Sequence, residues 1–428
     1  MGRLATDTTR HTDVLVVGGG PAGASAAIRL ARAGHAVTLV ERRTGRSPFT
    51  RGDLLDPTAV RELGDVGLAP VELGAHPLLG LRMWAGDRSV AVRWPNGGSH
   101  HTPGVAWRRS DLNRVLLDTA TAAGVDVILG YEATTPIVER GFVRGAVVVP
   151  TDADASDMAA DSASINCRFL VVADGANSRF GRGLGTTRDR QWPYAISTSA
   201  YFDSERSGDS WVDAVLGLPD RNGNPITGHG WVAPVGDGTV NVGVTVLSTY
   251  RDVLGVNALK LLDSFVDEVA ARWHVDPASR LTDPVRRRTP LGGSVRPVMG
   301  PTFLVAGDAA GMANPFNSHG VGAALMTGRV TAEVLDEALT VGNSTTLQRY
   351  PARLDEEIGR YHKVGRLSMR FLGRPRLMRV ALRSGIRSED AMGAALRIAS
   401  NDLRDDGAGG AERAYRMARM MTRFAPSW

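Results

Sequence analysis

The sequence predicts an α/β protein: a discontinuous lobe of Rossmann type, an inserted antiparallel β-sheet lobe, and a helical C-terminal region. Three observations carry this. A complete βαβ unit with a glycine-rich turn occupies residues 13–41. Strand-then-glycine texture of the same kind returns near Thr302. Between them, residues 239–246 alternate strictly, with Val240, Val242, Val244 and Val246 on one face and Thr239, Asn241, Gly243 and Thr245 on the other. That is the pattern of an antiparallel strand with one face on a core and the other open to a ligand or solvent. At 428 residues the chain exceeds one ordinary core, so two lobes sharing a ligand are expected.

In chain order, the β-branched run at 13–17 reads as a buried parallel strand, 24–33 as a helix closed by Gly34, and 36–40 as the next strand. A helix follows around 58–66, then short strands within 76–107, a helix over 110–123 with Asp111 near its start, and a strand at 125–129. The low-complexity stretch 151–164, with four aspartates, reads as a mobile hairpin loop. Residues 169–173 form another buried strand, ending at Asp174-Gly175. From about 192 to 290 the texture is β-rich. The α/β texture resumes with a strand at 302–306 and a helix over 322–338. The expected lobes are therefore 12–75, 108–190 and 291–345 for the nucleotide, 76–107 and 191–290 for a β-rich substrate lobe, and 346–428 as the helical region.

Composition excludes several classes. Hydrophobic residues at 43% and charged residues at 22% match a globular protein, not a disordered or fibrous one. No apolar run is long enough to span a bilayer, and residues 1–12 lack the apolar core of a signal peptide. A single cysteine, Cys167, allows no internal disulfide or thiolate cluster, so a reducing cytoplasm is expected and no metal site is. Residues 351–428 hold 16 Arg/Lys against 9 Asp/Glu, while the rest of the chain carries 34 against 36. The basic excess is thus confined to the C-terminal region, without the aromatic strands of a nucleic-acid binder. Its Met-rich stretch 415–424 suits contact with an anionic membrane surface. His100 and His101 lack a third ligand, Trp84, Trp94 and Trp107 suit a substrate pocket or packing, and His274 and His362 read as surface residues.

Gly18, Gly20 and Gly23 fit the G-x-G-x-x-G spacing after a strand and at the start of a helix. Gly18 permits the tight turn, Gly20 lets a pyrophosphate approach the backbone, and Gly23 lets helix and strand pack closely. Glu41 ends the second strand, where a carboxylate accepts hydrogen bonds from ribose hydroxyls. A second signal, Gly307-Asp308 after a strand and then Pro315 and Ser318-His319-Gly320-Val321, selects FAD over NAD. It places a carboxylate beside an extended polyol and aims a helix N-terminus at the flavin edge that gains negative charge on reduction.

These motifs, with Asp174-Gly175, resemble the three fingerprints of flavoprotein hydroxylases and their relatives, which share the p-hydroxybenzoate hydroxylase fold. The resemblance covers about residues 12–340. It implies that Glu41 holds the adenosine ribose, Asp308 the ribityl or ribose region, and Gly320 and Val321 the isoalloxazine. Arg109 is similar to the family's arginine near the pyrophosphate, and Asp174 braces the loop between. Ala22, Arg42, Ala133, Gly307 and Pro315 complete the expected cofactor set.

Finer features resemble the geranylgeranyl reductase branch, including menaquinone side-chain reductases, whose members use reduced FAD to saturate prenyl double bonds. Arg51-Gly52-Asp53-Leu54-Leu55-Asp56-Pro57 is similar to its Cys-Gly-Asp-Gly-Leu-x-Pro segment. Gly228-His229-Gly230-Trp231-Val232-Ala233-Pro234 is similar to its Gly-Tyr-x-Trp-x-Phe-Pro strand. Arg51, Leu54 and Ala233 depart from the pattern, and His319 stands where an acidic residue is usual. Arg51 and His319 are therefore the candidate catalytic residues; Asp53, Trp231, Ala233 and Asn317 are the candidate substrate lining. The paired-tryptophan signature of flavin halogenases is absent. The expected function is FAD-dependent reduction of a carbon–carbon double bond in an apolar prenyl-type substrate, with NAD(P)H or a ferredoxin-like protein as external donor. The alternatives are an FAD-dependent monooxygenase of a small metabolite and a non-catalytic flavin- or lipid-binding protein.

Overall fold

The computed structural model describes residues 10–45, 53–94, 103–152, 162–386, 388–401 and 409–422. Arg51, His100, His101, most of the 151–164 stretch and the end of the 415–424 stretch lie outside them. Strand Arg10–Val17, helix Pro21–Arg32 and strand Val37–Glu41 form the βαβ unit. Spatially, Asp126–Leu129, Val37–Glu41, Arg10–Val17 and Ala163–Val172 lie side by side and parallel. The C-terminal half of the last of these continues parallel into Phe303–Val305, with Leu170 opposite Phe303. Apolar runs such as Val14–Leu15–Val16 sit at 0% exposure because they lie inside the main hydrophobic core, as an interior parallel strand requires. Sequence pattern assigns nothing to 131–150. There the structure has two further strands, Tyr131–Glu139 and Phe142–Pro150, which extend the sheet antiparallel onto the first half of Ala163–Val172.

The inserted sheet has seven strands, in the order Val285–Pro290, Tyr194–Asp203, Thr239–Leu247, Gly228–Pro234, Trp211–Leu216, Gly80–Ala85 and Arg88–Arg93. Its third strand, Thr239–Leu247, is buried on both faces for two different reasons. Val240, Val242 and Val244 pack on Leu262, Phe265, Val266 and Val269 of helix Ala258–Trp273. The alternate residues Asn241 and Thr245 face a cavity. The helix is fastened by Asp213, at 0% exposure, which accepts from Arg82 Nε, Arg272 Nε and Trp273 Nε1, each at 2.9 Å. A carboxylate so deeply buried persists only because it is paired on both oxygens.

The C-terminal helices are Arg360–Leu372, Pro375–Gly385, Glu389–Ala399 and Gly410–Met421. They continue the molecule rather than trail from it: Tyr350, Leu354 and Tyr361 join the main core. Tyr415 packs against the same core, and buried Glu412 pairs with Arg397. His362 corrects the sequence reading. It is wholly buried, neither ring nitrogen has a partner among the described residues, and burial holds its imidazole down at about 3. His274 is exposed beside Glu205, as a surface residue should be.

A buried imidazole with a depressed folded-state pKa makes stability acid-sensitive. The unfolded chain takes up the proton first, so stability is full above about pH 6.5 and is lost as pH falls below it, toward about 3 for His362. His362→Phe should flatten this slope in urea titrations between pH 7 and 4, and it should stabilise the protein at the acid end.

Candidate cofactor and substrate site

One continuous cavity of about 1650 Å³ runs between the two sheets and the C-terminal helices. It exceeds the usual range for one small ligand, roughly 300–1,000 Å³, and suits a dinucleotide together with a second molecule. At one end it is lined by the glycine turn and the strand ends that follow from the βαβ unit. Gly18 has φ +107, and a Cβ there would fall 2.4 Å from the Ala173 carbonyl oxygen. At Gly23 a Cβ would fall 1.9 Å from the Gly18 oxygen, whereas at Gly20 it would meet nothing within 4 Å. The turn is closed on its protein side and open on its cavity side, which is the shape a pyrophosphate requires.

Glu41 lies at the strand end and braces this turn: its Oε2 accepts from Gly19 N at 2.8 Å and its Oε1 from Arg43 N at 3.1 Å. Asp308 faces the same space from the other end of the sequence. One of its oxygens pairs with Arg287, which reaches across from the inserted sheet; Oδ1 is buried without a partner. An orphaned acceptor beside an open cradle fits a hydroxyl-bearing chain. Gly320 precedes helix Val321–Val341, whose first amides have no side-chain cap and open on the cavity. These residues fit the FAD expected from the sequence.

Of the remaining expected residues, Ala22, Arg42, Arg109, Ala133, Asp174, Asp53, Trp231, Ala233, Asn317, His319 and Val321 all line the cavity. Arg109 is the first residue of helix Arg109–Ala122; its Nε donates to Asn113 and its backbone N to Asp53 Oδ1 at 3.0 Å. Asp174 Oδ2 accepts from Phe180 N at 3.1 Å, bracing its loop. Gly23, Gly307 and Pro315 do not line the cavity, which for Gly23 accords with the packing role the motif gives it. Gly23 and Gly307 act by close packing, and Pro315 packs where a Cβ on Gly365 would come within 2.3 Å of its Cγ. Arg51 lies outside the described residues.

The other end of the cavity is apolar. Leu81, Met83, Trp94 and Leu216 come from the inserted sheet; Met378, Leu382, Ile386, Met392 and Leu396 come from the C-terminal helices. Trp231 lies flat across Gly243, where a Cβ would be 2.2 Å from its ring, and donates to Asn241 Oδ1 at 2.8 Å. Trp84 and Trp107 are packing residues.

Two residues, His229 beside the expected His319 and Tyr201 beside the expected Asp53, escaped the sequence reading. His229, two residues before Trp231 on the same strand face, is half-buried in the cavity wall near His319; desolvation holds both imidazoles at about 4, with the charge of His319 a further cause for His229. They are neutral near pH 7. Asp53 accepts a short hydrogen bond from Tyr201 Oη, and burial pushes its carboxyl above the ordinary range against that bond and the Arg109 amide. The period-2 pattern from Trp231 could have exposed His229, and that of strand Tyr194–Asp203 could have exposed Tyr201.

A family model described as an FAD binding domain matches residues 11–356. The menaquinone reductase of Mycobacterium tuberculosis (strain CDC 1551 / Oshkosh) is 34% identical over 413 residues, 96% of both chains. The digeranylgeranylglycerophospholipid reductase of Methanoculleus marisnigri is 28% identical over 77% of this chain and 78% of its own length. A geranylgeranyl bacteriochlorophyll reductase-like protein from Thermoplasma acidophilum superposes with a TM-score of 0.73 at 22% identity, over 95% of this chain and 96% of its own.

The cradle makes distinct demands on its residues. Glu41→Ala should weaken FAD binding by about 1–3 kcal/mol, read by equilibrium titration of the apoprotein, because ribose hydroxyls and the Gly19 amide lose an acceptor. Gly23→Ala should cost the fold itself, seen as a lowered melting temperature without FAD, since the Gly18 carbonyl cannot retreat.

Proposed function

The chain belongs to the FAD binding domain family, among the menaquinone and geranylgeranyl-type reductases, and from that premise we propose that it saturates a carbon–carbon double bond in a prenyl-bearing substrate. The observation that carries the reading is the apolar half of the cavity, open to the FAD cradle and walled by Leu216, Met378, Leu382, Ile386 and Leu396. When reduced by an external donor, FAD supplies the hydride for such a reaction.

The protein's part is to orient the chain, exclude water and supply a proton. The apolar wall orients an isoprenoid by burial, worth about 25 cal/mol per Å² of apolar surface. Trp231, held by Asn241, gives that wall a rigid face. Saturation also needs one proton at the carbon opposite the hydride. A neutral imidazole is a poor acid, so His319 and His229 serve as hydrogen-bond partners rather than as the source. Asp53 is the better holder of that proton, because desolvation favours its protonated form.

Contact with an anionic membrane surface is part of the same proposal, and it centres on helix Pro375–Gly385 rather than on residues 415–424. Leu377 and Val380, 41% and 62% exposed, lie outward among Arg374, Arg376, Arg379 and Arg383. The same helix turns Met378 and Leu382 to the cavity. Among the described residues no helix is long and apolar enough to cross a membrane. A surface helix of this kind binds at the headgroup level.

Two measurements test these readings. Flavin reduced without oxygen should be reoxidised by a prenylated quinone, giving a product two hydrogens heavier, and Asp53→Asn should slow this step by about 100-fold or more while chemical reduction is unchanged. A requirement for oxygen, with an oxygen atom in the product, would put a monooxygenase in its place. In vesicle flotation, Leu377→Asp with Val380→Asp should abolish binding to anionic liposomes and leave the bound flavin spectrum as it is; equal binding by wild type and variant would return the helix to a solvated face.

A further inference from the structure

Asp53 is gripped at both oxygens. It lies in the cavity wall at 2% exposure. Its Oδ1 accepts from the Arg109 amide at 3.0 Å, and its Oδ2 accepts from Tyr201 Oη. Tyr201 is 3% exposed and stands behind the cavity wall rather than in it. It belongs to strand Tyr194–Asp203, on the face whose Ser197 and Ser199 line the cavity, while Phe202 on the opposite face joins the core around helix Ala258–Trp273. The ring is fixed from two sides. Arg108 lies over it, 4.8 Å from the centroid, and is itself held by the Asp237 carboxylate and by Thr239 Oγ1. The Tyr201 carbonyl accepts from Leu281 N at 2.9 Å. The hydroxyl is thereby aimed at one carboxyl oxygen.

That oxygen is where a donor matters. A carboxyl oxygen has two lone pairs, so an acid proton and the phenol's hydrogen bond can share it. A hydrogen bond to an ionised acceptor is roughly twice as strong as one to a neutral group, so the same hydroxyl holds the carboxylate more tightly than the acid. It therefore lowers the cost of giving the proton away. Burial works the other way and keeps the proton on Asp53, against the Tyr201 bond, the Arg109 amide and the charges of Arg108 and Arg109. The Tyr201 bond is the largest of these opposing effects.

We propose that Tyr201 is the positioning residue of the proton-transfer step: its hydroxyl fixes the Asp53 carboxyl in the wall and strengthens its bond to Oδ2 as the carboxylate forms. This rests on the reading of the chain as a double-bond reductase with Asp53 as its proton holder. With a hydride added to one alkene carbon, the electron pair of the double bond goes to the other carbon and takes the Asp53 proton. The carboxyl O–H bond breaks, and its electrons stay on the carboxylate. Water returns a proton to Asp53 after the product leaves. Tyr201 keeps its own proton throughout.

The test uses the full-length FAD-loaded protein and Tyr201→Phe, which keeps the ring under Arg108 and removes only the hydroxyl. Photoreduced flavin is mixed without oxygen with a prenylated quinone over a range of pH. Wild-type reoxidation should fall as pH rises through the Asp53 titration. In Tyr201→Phe that fall should move up by about one pH unit or more, and the rate below it should drop by about tenfold. Tyr201→Phe added to Asp53→Asn should cost nothing further, because the hydroxyl acts through the carboxyl. Tyr250→Phe, which takes a hydroxyl from Asp220 outside the cavity, is the control and should leave the profile where it is. The flavin spectrum of each variant establishes that it is folded and loaded. Infrared titration of the oxidised protein then follows the carboxyl band that Asp53→Asn removes, and this band should persist to higher pH in Tyr201→Phe. A fall and a band that stay at the wild-type pH would overturn the proposal. So would a Tyr201→Phe loss equally large in the Asp53→Asn background. Because the band is read without substrate, failure of the prenyl-reduction reading would appear separately, as photoreduced flavin that no prenylated quinone reoxidises at any pH.

Discussion

Two helices that are three hundred residues apart in sequence must nearly touch for this protein to have a site at all. Helix Pro21–Arg32 carries the glycine turn at its start, and helix Val321–Val341 follows the Asp308 loop. Where they cross, a Cβ on Gly328 would fall 2.4 Å from the Ala22 carbonyl oxygen, and Ser25 Oγ donates to the Leu325 carbonyl at 2.9 Å. A Cβ on Gly307 would come within 2.8 Å of the Ala22 side chain. Only small residues permit this approach. Its consequence is electrostatic: two helix N-termini open on one space, and each turns its positive end to it.

The inserted sheet answers a different constraint. A strand facing a large ligand cavity must still be anchored from behind, or the cavity would collapse or fill with water. The chain solves this by period-2 alternation, with valines at 240, 242 and 244 locked onto helix Ala258–Trp273, Asn241 and Thr245 left for the cavity, and Gly243 covered by the Trp231 ring. Trp231 over Gly243 shows the same division of labour across one strand pair. The alternation thus encodes a boundary between packed core and binding space.

That is also why some of the molecule was legible in the sequence and some was not. The glycine turn, Glu41, Asp308 and the alternating strand declare themselves because each function is tied to a local backbone shape with a fixed residue spacing. Arg287 on Asp308, Tyr201 on Asp53, and His229 near His319 are meetings of residues 21, 148 and 90 positions apart. No local period encodes them, and they exist only once the inserted sheet lies on the nucleotide lobe. His362 was misread for a related reason: a lone histidine among arginines looks like a surface residue until the face of helix Arg360–Leu372 that carries it is seen to be buried. The strands within 131–150 carry apolar residues but no turn strong enough to separate them from a loop.

The C-terminal region shows most clearly how little net charge says by itself. Its arginine excess pointed to a membrane surface, yet the region is tied inward: the Ala399 carbonyl accepts from Asn314 Nδ2 at 2.8 Å, Asn317 Nδ2 at 3.3 Å and Tyr361 Oη at 2.7 Å. The last turn of helix Glu389–Ala399 is thereby stapled to the loop that carries His319. A wall so attached cannot drift from the cofactor cradle, and it turns Met378, Leu382, Met392 and Leu396 in to line the cavity. The cavity that results is graded: cations beside the cradle, neutral imidazoles and a buried carboxyl in the middle, hydrocarbon at the far end. Water finds few partners at the hydrocarbon end. A molecule that fills such a gradient must itself be long and apolar with one polar end, and that requirement follows from the wall's attachment as much as from its composition.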